Sequence, residues 1–263
     1  MKSLFRYIRL WTKLTVNSFL VSLTTRLSVL LFLLGKMLRF VLFFIFLLTL
    51  FSRTNRLADY SSSQVIFFFL TFNLIDTLAQ LFFREVYRFR PMVVSGDFDL
   101  VLIKPINPLF RALAGGADPL DLVMLVPYIG GLVYVGGLAG GVTLGQFLYY
   151  VLLLANGLLI ATGFHILVLA LAIVTTEIDH AIMIYRDITS MGRIPVDIYR
   201  EPLRSFLLFV IPVGVMVTVP ARAFLGLLSP IAGLGACVIG VVFFSLCLGI
   251  WRYALRQYSS ASS

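Results

Sequence analysis

Three polar side chains lie on one face of a stretch that is otherwise rich in phenylalanine and leucine. Asn73, Asp76 and Gln80 recur at spacings of three and four residues, the repeat of a helix. In a lipid-spanning helix a carboxylate costs about 2.5–3.5 kcal/mol to insert, so it normally faces a partner or a wet cavity. One hypothesis is that the stripe lines a substrate route in which Asp76 attracts a cationic group. The alternative is a clasp between helices, in which Asp76 pairs with Lys36 or Arg39.

Two further polar residues, Asn156 and His165, interrupt a second long apolar run. His165 could relay protons, or it could hydrogen-bond to a neighbouring helix as most buried histidines do. Asn156 has the same two interpretations. The candidates for a substrate route are therefore Asn73, Asp76, Gln80, Asn156 and His165.

The sequence contains no convincing catalytic or metal-binding cluster. Glu177, Asp179 and His180 have metal-ligand chemistry, but adjacent positions point to different faces of a helix, and we interpret them as a solvated helix end. Cys237 and Cys247 would lie about 15 Å apart on one helix, too far for a disulfide. No Ser–His–Asp or Cys–His arrangement stands out.

The longest charged insertion, residues 84–118, is the segment best suited to transmit mechanical work. Arg84, Arg88 and Arg90 precede Pro91, and two further prolines prevent one continuous helix. A charged loop that is stiffened by proline can pass on a rigid-body push from a soluble motor. The alternative is that its cations merely anchor the preceding membrane span.

The chain lacks the G-x-x-x-x-G-K-[ST] loop that cradles nucleotide phosphates. We therefore expect any ATP to be hydrolysed by another subunit. The glycine-rich stretch at 130–145 is followed by no Lys-Ser or Lys-Thr pair, and its glycine pairs are typical of tight helix packing in membranes.

The elements that position these residues must be membrane helices, because the composition excludes an ordinary aqueous surface. Hydrophobic residues make up 60% of the 263 and charged residues only 13%, with a mean hydropathy of +1.01. Soluble domains carry about 25% charged residues. We predict an all-α polytopic membrane protein, a single permease-like domain over residues 1–263. Its six predicted transmembrane helices are 27–51, 65–83, 121–138, 147–174, 203–221 and 231–251.

Two segments are predicted to lie at the membrane surface. Residues 1–26 carry Lys2, Arg6, Arg9 and Lys13 on one helical face, which predicts an amphipathic interfacial helix in contact with anionic lipids. The apolar stub 223–228 is too short to cross the bilayer and predicts a re-entrant segment between spans five and six.

The distribution of lysine and arginine predicts the orientation. The segment up to residue 26 holds five, the 84–118 loop five, a second polar loop at 177–204 four and the C-terminal tail two. The opposite loops hold three, and the other two of the 21 lie within span one. The positive-inside rule then places both termini and both long loops in the cytoplasm.

Several short motifs, in their order and spacing, resemble a bacterial family of ABC-transporter permeases in the type-2 exporter superfamily. The family includes permeases that resemble exporters of drugs, antibiotics or cationic toxicants such as viologens. The motifs are Ser95-Gly96-Asp97-x-Asp99 followed by Lys104-Pro105, then Ile198-Tyr199, Leu203-Arg204, Ile211-Pro212, Pro220-Ala221 and Tyr258-Ser259-Ser260-Ala261.

The resemblance implies a permease in the bacterial inner membrane that pairs with a second permease, identical or homologous, and with a separate ATPase that binds ATP and Mg. It implies no cofactor in this chain and no nucleic-acid partner. The helix at 1–26 would be the elbow helix of the superfamily, and the 84–118 loop its coupling element. The implied coupling residues are Arg84, Glu85, Arg88, Arg90, Pro91, Gly96, Asp97, Asp99, Lys104 and Pro105.

We expect export of a small hydrophobic or cationic compound. An ion-driven secondary transporter is the alternative, and it would favour internal repeats and several ionisable groups within the membrane. A lipid-modifying membrane enzyme is a further alternative, and it would require paired acids, a metal cluster or a nucleophile.

Overall fold

The computed structural model describes residues 2–24, 26–138, 141–175 and 178–258, with side chains from residue 5 onward and not those of 178–181. Within these ranges the regular structure is helical. The helices are α1 (Lys2–Thr24), α2 (Arg26–Phe51), α3 (Ser62–Phe83), α4 (Phe89–Val94), α5 (Asp97–Leu102), α6 (Pro108–Leu113), α7 (Pro119–Leu138), α8 (Leu144–Thr175), α9 (Ile178–Ser190), α10 (Leu203–Ser205), α11 (Val213–Phe224) and α12 (Pro230–Gln257).

Five helical stretches among the described residues are long and apolar enough to cross a membrane: α2, α3 with its continuation to Val94, α7, α8 and α12. A sixth candidate, Leu203–Val210 with Val213–Phe224, is bent by 89°. The predicted all-α polytopic fold is confirmed, and the first four predicted spans agree with α2, α3, α7 and α8 to within a few residues.

The central helix of the bundle is α3, whose start is fixed by its own sequence. Ser61 accepts a hydrogen bond from the Gln64 backbone, and the Gln64 side chain accepts one from the Ser61 backbone, so two otherwise unpaired amides are satisfied. Both faces of the helix pack against neighbours, and it is largely buried. By contrast α2 fully buries only Leu47, packs Phe40, Phe43 and Phe44 partly against the core, and leaves much of its other apolar surface exposed.

Helices α3 and α8 run parallel, with a register that is easy to follow. Phe67 lies against Tyr150 near the start of both helices, Ile75 near Gly157 in the middle, and the Phe83 ring is 5.2 Å from His165. The α8 helix has 32 residues, about 48 Å at helical rise, so it extends beyond the end of α3.

The predicted fifth span, 203–221, is wrong as one continuous helix. A short helical stretch from Leu203 through Phe206–Val210, the latter with π-helical hydrogen bonding, ends just before Pro212, and α11 then leaves at 89°. Proline lacks a backbone N–H and disfavours helical geometry in the preceding residue, which accounts for the break. The predicted stub at 223–228 is the end of α11 and the turn that leads to Ser229, the N-cap of α12.

The segment predicted as an open polar loop, 177–204, is folded into the bundle. Residue 177 lies outside the described residues, but α9 begins at Ile178 and is followed by two 3-10 turns, Met191–Arg193 and Val196–Ile198. Gly192 is buried near Phe72, in the middle of α3. The chain therefore runs back along the bundle from the end of α8.

The return ends at the start of α3, not at its end. The Tyr60 hydroxyl donates a 2.7 Å hydrogen bond to Asp197, which also forms ion pairs with Arg204 at 2.7 Å and Arg222 at 3.7 Å. Because Tyr60 precedes α3 while the 84–118 segment follows it, residues 197–204 lie at the opposite end of the bundle from that segment. The prediction that groups Arg200 and Arg204 with the 84–118 cations is therefore wrong: charge alone could not reveal that α9 reverses through the bundle.

Candidate functional site

A cleft of about 940 Å³ is bounded by α2, α3, α7 and α9. All three members of the predicted polar stripe line it. Gln80 donates a 2.8 Å hydrogen bond to Asp76, and Asn73 donates to the carbonyl of Phe69, one turn back. The inference that these residues share a helix face beside a cavity agrees with the geometry, while their role with a substrate stays a prediction.

Of the two partners predicted for an Asp76 clasp, Lys36 is wrong, whereas Arg39 interacts with Asp76 electrostatically. Lys36 instead pairs with Asp121, in the first turn of α7. Arg84 pairs with Asp118 and lies 3.7 Å from Asp121. Both carboxylates are buried, with 1% of Asp121 and 5% of Asp118 exposed. These four charges join α2, the end of α3 and the start of α7.

The carboxylates of this ionic cluster escaped the sequence reasoning because they flank the start of a span. A signal did exist: acidic residues before and within the first helical turn are favoured by the helix dipole. The chain distance from Lys36 to Asp121 is too long for any local pattern to pair them.

Asp76 is surrounded by arginines from three elements. Arg39 of α2, Arg186 of α9 and Arg193 of the following turn all interact with it electrostatically and all line the cleft. The Arg193 guanidinium also lies over the rings of Phe43 and Phe72, at 5.5 and 5.7 Å. Such cation–π contacts hold an arginine at an apolar wall.

Along the cleft the lining changes from charged to aromatic. Towards the 84–118 segment it contains Gln80, Arg84 and Arg88. Towards the start of α3 it contains Phe43 and Phe69, whose rings stack at 4.7 Å, together with Phe40 and Phe46. Charged side chains are thus more frequent towards the cap, and phenylalanine rings more frequent towards the start of α3, where Arg193 lies over Phe43.

The other two predicted route residues do not line the cleft. Asn156 is buried between α8 and α12, where it donates a 3.0 Å hydrogen bond to the carbonyl of Ala236. His165 is 1% exposed, hydrogen-bonds through Nδ1 to the Ala161 carbonyl at 2.7 Å, and lies among the rings of Phe83 and Tyr185. Asn156 fits the alternative interpretation, a hydrogen bond between helices, whereas the hydrogen bond of His165 stays within α8 and only its ring contacts reach other elements.

The predicted solvated helix end lies where little is described. Glu177 is outside the described residues, and the side chains of Asp179 and His180 are likewise not described. The Ser259-Ser260-Ala261 part of the tail motif also lies outside the described residues.

The 84–118 segment is a compact cap of short helices at the end of α3. Its aromatic core joins it to the end of α12, because Phe98 lies edge-on to Phe89 at 4.9 Å and to Tyr258 at 5.3 Å. Burial and the Asp99 carboxylate raise the pKa of Tyr258 to about 12, so its hydroxyl stays protonated at neutral pH. The prolines prevent one long helix here, as predicted, and the pieces pack against each other.

The ten predicted coupling residues differ in their exposure and in their contacts. Arg84 and Glu85 face inward: Arg84 joins the ionic cluster, and Glu85 pairs with Arg111 at 2.8 Å. Gly96 adopts a φ of +79°, which favours glycine, and it turns the chain from α4 into α5. Asp99 is only partly exposed. The exposed members are Arg88, Arg90, Pro91, Asp97, Lys104 and Pro105.

An exposed apolar edge on this cap was missed by the sequence reasoning. Val94, Leu100 and Ile103 are exposed, and 78% of Ile103 is accessible. On α5 the neighbouring Phe98 and Val101 are buried, so this short helix is amphipathic. The exposed Leu100 and Ile103 are as apolar as the buried Phe98 and Val101, so the sequence alone does not tell the two faces apart.

The N-terminal helix docks on the same cap. The Tyr7 hydroxyl accepts a 3.2 Å hydrogen bond from the Asn107 backbone, and its ring lies 4.6 Å from Phe110. Further along, Thr15 accepts a 3.2 Å hydrogen bond from the Ala117 backbone. The predicted interfacial helix is therefore attached to the predicted coupling segment.

A family model described as "ABC-2 family transporter protein" matches residues 37–262. No curated protein and no solved structure matches the chain. The match covers most of the sequence, including α2 from Met37 onward, the cap and every later helix, and it agrees with the resemblance of the motifs. The chain belongs to the ABC-2 family of transporter proteins and is a polytopic membrane permease of the ABC-transporter type.

Proposed function

We propose that this chain is the membrane-spanning subunit of an ATP-driven exporter, and that a separate ATPase subunit binds ATP and Mg and docks on the cap at 84–118. The observation that carries the proposal is the exposed apolar edge formed by Val94, Leu100 and Ile103. An apolar patch rimmed by polar residues typically marks a protein interaction site. Lys104 and Asp97 supply such a polar rim.

The cap is held in a way that suits the transmission of force. The Glu85–Arg111 pair ties its first turn to α6, and Arg84 ties the same turn to the carboxylates at the start of α7. Asp121 in turn binds Lys36 of α2. A push on the cap would therefore reach three spans as one rigid-body movement.

Both termini and the cap are proposed to face the cytoplasm of a bacterial inner membrane. Residues 178–198 then form the fifth crossing, and 203–224 form a re-entrant hairpin on the external side. On this path the N-terminal segment, the cap and the tail hold twelve cations, against five at Arg53, Arg56, Arg200, Arg204 and Arg222. The remaining four of the 21 lie at or near the cleft: Lys36, Arg39, Arg186 and Arg193. The bias still satisfies the positive-inside rule.

A second permease, identical or homologous, is proposed to pair with this chain. The support is the resemblance of the motifs to the type-2 exporter superfamily, whose permeases work in pairs. The exposed apolar residues of α1, such as Phe5, Ile8 and Leu20, are proposed to contact membrane lipids. The resemblance suggests a small hydrophobic or cationic cargo.

Docking is tested by placing a charge on the exposed edge of the cap. In Ile103→Glu we expect the permease to fold normally and to lose its ATPase, because a buried, unpaired carboxylate opposes the interface. The matched control is Ile231→Glu, at an isoleucine that is 84% exposed at the other end of the bundle. The permease is purified from its native membrane, bound proteins are identified by mass spectrometry, and ATP hydrolysis is measured.

The wild type and the control should retain a subunit with a phosphate-binding loop and ATPase activity. Two results would contradict the proposal: a wild-type permease that carries no such subunit, or an Ile103→Glu variant that retains it fully. Elution of each variant as a single peak in size-exclusion chromatography checks folding.

A further inference from the structure

We propose that the cleft binds an anionic amphiphile, with its negative head group among the arginines and its apolar part against the phenylalanines. This proposal rests on the proposed function, because it names the substrate class of the exporter's cleft. It departs from the cationic cargo that the polar stripe and the family resemblance suggest.

The first argument is the charge that is left after pairing. Lys36 and Arg84 are neutralised by Asp121 and Asp118. Among the ion pairs of the described residues, none within 4.0 Å involves the other four cations of the lining. These four are Arg39, Arg88, Arg186 and Arg193. Asp76 is the one acid of the lining that lies outside the paired set, so the cleft carries an excess of positive charge.

An excess of this kind is costly within a membrane unless something balances it. A cation within the membrane is unfavourable by itself, so cations there pair with anions or line a wet cavity. Asp76 can balance only one of the three arginines that act on it. A bound anion would satisfy the rest, and arginine forks suit carboxylate and phosphate groups.

Asp76 is therefore a poor attractor of cations. A cationic group that approached it would also approach Arg39, Arg186 and Arg193, and the net interaction would be repulsive. The Asp76 carboxylate instead lies among the three arginines and reduces their mutual repulsion. Its hydrogen bond from Gln80 fixes the carboxylate on the same face.

The second argument is the direction of the polarity along the cleft. The lining is more charged towards the cap and more aromatic towards the start of α3, where Arg193 lies over Phe43. With the cap in the cytoplasm, an amphiphile of the inner leaflet would enter with its head group level with Arg88 and its chain beside Phe43 and Phe69. The stacked rings of α2 and α3 offer a smooth apolar wall for that chain.

The third argument is that the wall formed by α2 is open to the surroundings of the bundle. Leu31, Phe32, Leu38 and Leu42 line the cleft and are also largely exposed. A ligand with an apolar tail can therefore reach the arginines from the bilayer without crossing the polar cap. A purely hydrophilic anion would gain nothing from this arrangement.

The test compares the binding of three probes of equal chain length to the purified full-length permease in a neutral detergent. The probes are radiolabelled dioctanoyl phosphatidylglycerol, dioctanoyl phosphatidylcholine and octyltrimethylammonium. We expect the anionic probe to bind most tightly. Arg39→Gln and Arg193→Gln should each weaken its binding about tenfold, while Arg53→Gln, at an exposed position outside the cleft, should not.

The variant Asp76→Asn should change the affinity of the cleft in opposite directions for anionic and for cationic probes. If the cleft selects anions, this variant should bind the anionic probe about threefold to tenfold more tightly, because one repulsive charge is removed. If the cleft selects cations, it should lose affinity for the cationic probe. Octanoate is then added as a competitor of the anionic probe. If octanoate displaces the probe, the cleft accepts a simple anionic amphiphile; if it does not, the cleft requires a phospholipid head group. Either result supports the proposal.

The proposal is overturned if the cationic or zwitterionic probe binds as tightly as the anionic one, or if Arg39→Gln and Arg193→Gln behave like Arg53→Gln. Failure of the proposed function is a separate result, because the binding assay contains no ATPase. A permease that carries its ATPase but prefers cations would overturn only the substrate class. One that selects anions but has no ATPase would overturn only the export mechanism.

Discussion

Lys36 and Arg39 lie three residues apart on α2, yet their environments differ. Lys36 is held by the buried carboxylate of Asp121, whereas Arg39 faces the cleft near Asp76. The first cation is part of the architecture and the second is available to a ligand. Asp121 is nearly inaccessible to solvent, so Lys36 and Arg84, the latter at 3.7 Å, are the cations that compensate its buried carboxylate.

This compensation predicts strong coupling between Lys36 and Asp121. Lys36→Met should destabilise the permease by about 2 kcal/mol, less than a fully buried pair would lose, because Lys36 is partly exposed. Combining it with Asp121→Asn should recover much of this loss, since no unpaired charge is left. Thermal unfolding in detergent measures both, and strictly additive effects would contradict the pairing.

At the scale of helices, close approach at glycine holds the bundle together. An added Cβ at Gly157 of α8 would lie 2.4 Å from the backbone oxygen of Met216 in α11, and one at Gly240 of α12 would lie 2.1 Å from the Asn156 side chain. Tight packing at small residues is the main source of helix association in lipid. Gly157 thus lets the short helix α11 pack directly against α8, and Gly240 does the same for α12.

Gly157→Ala should therefore lower stability by about 1–3 kcal/mol, because the backbone of α11 has to move. Gly249→Ala is the matched control on α12, where an added Cβ meets nothing within 4 Å and helix propensity favours alanine by up to about 1 kcal/mol. Melting temperatures of the two purified variants provide the comparison. Equal effects would mean that the helices separate easily at this point.

At the scale of the whole molecule, the path of the chain after α8 decides which loops share a side. The contacts of Asp197 with Tyr60 and Arg222 require residues 197–204 to be at the end where α3 begins. Burial and the Asp197 carboxylate raise the pKa of Tyr60, so its hydroxyl remains a hydrogen-bond donor at neutral pH. The hydrogen bond and the ion pairs hold the return of the chain at this end.

Labelling with a membrane-impermeant maleimide checks this path in intact spheroplasts. In a background of Cys237→Ala and Cys247→Ala, we expect Arg200→Cys and Arg56→Cys to react from outside, and Lys104→Cys to react only after permeabilisation. All three positions are exposed. If the cysteine at position 200 reacted only after permeabilisation, the path described here would be wrong, and the cytoplasmic loop that charge counting predicts at 177–204 would be supported.

Much of this architecture follows from local features of the sequence. Hydropathy determined that the chain is helical and membrane-spanning, the 3.6-residue period placed Asn73, Asp76 and Gln80 on one face, and the prolines of the 84–118 segment required short pieces. The missing phosphate-binding loop predicts that another subunit hydrolyses ATP. These properties depend on residues a few positions apart, whose geometry the helix itself dictates.

Only the tertiary structure decided what faces that stripe. Arg39, Arg186 and Arg193 come from distant parts of the chain, and they meet at Asp76 because α9 turns back through the bundle. The partner of Lys36 and the exposed edge of the cap were decided in the same way. Contacts between distant segments depend on how whole helices pack, and neither periodicity nor net charge contains that information. The sequence predicted a small hydrophobic or cationic cargo, whereas the packing of the helices is what supports the anionic amphiphile proposed above.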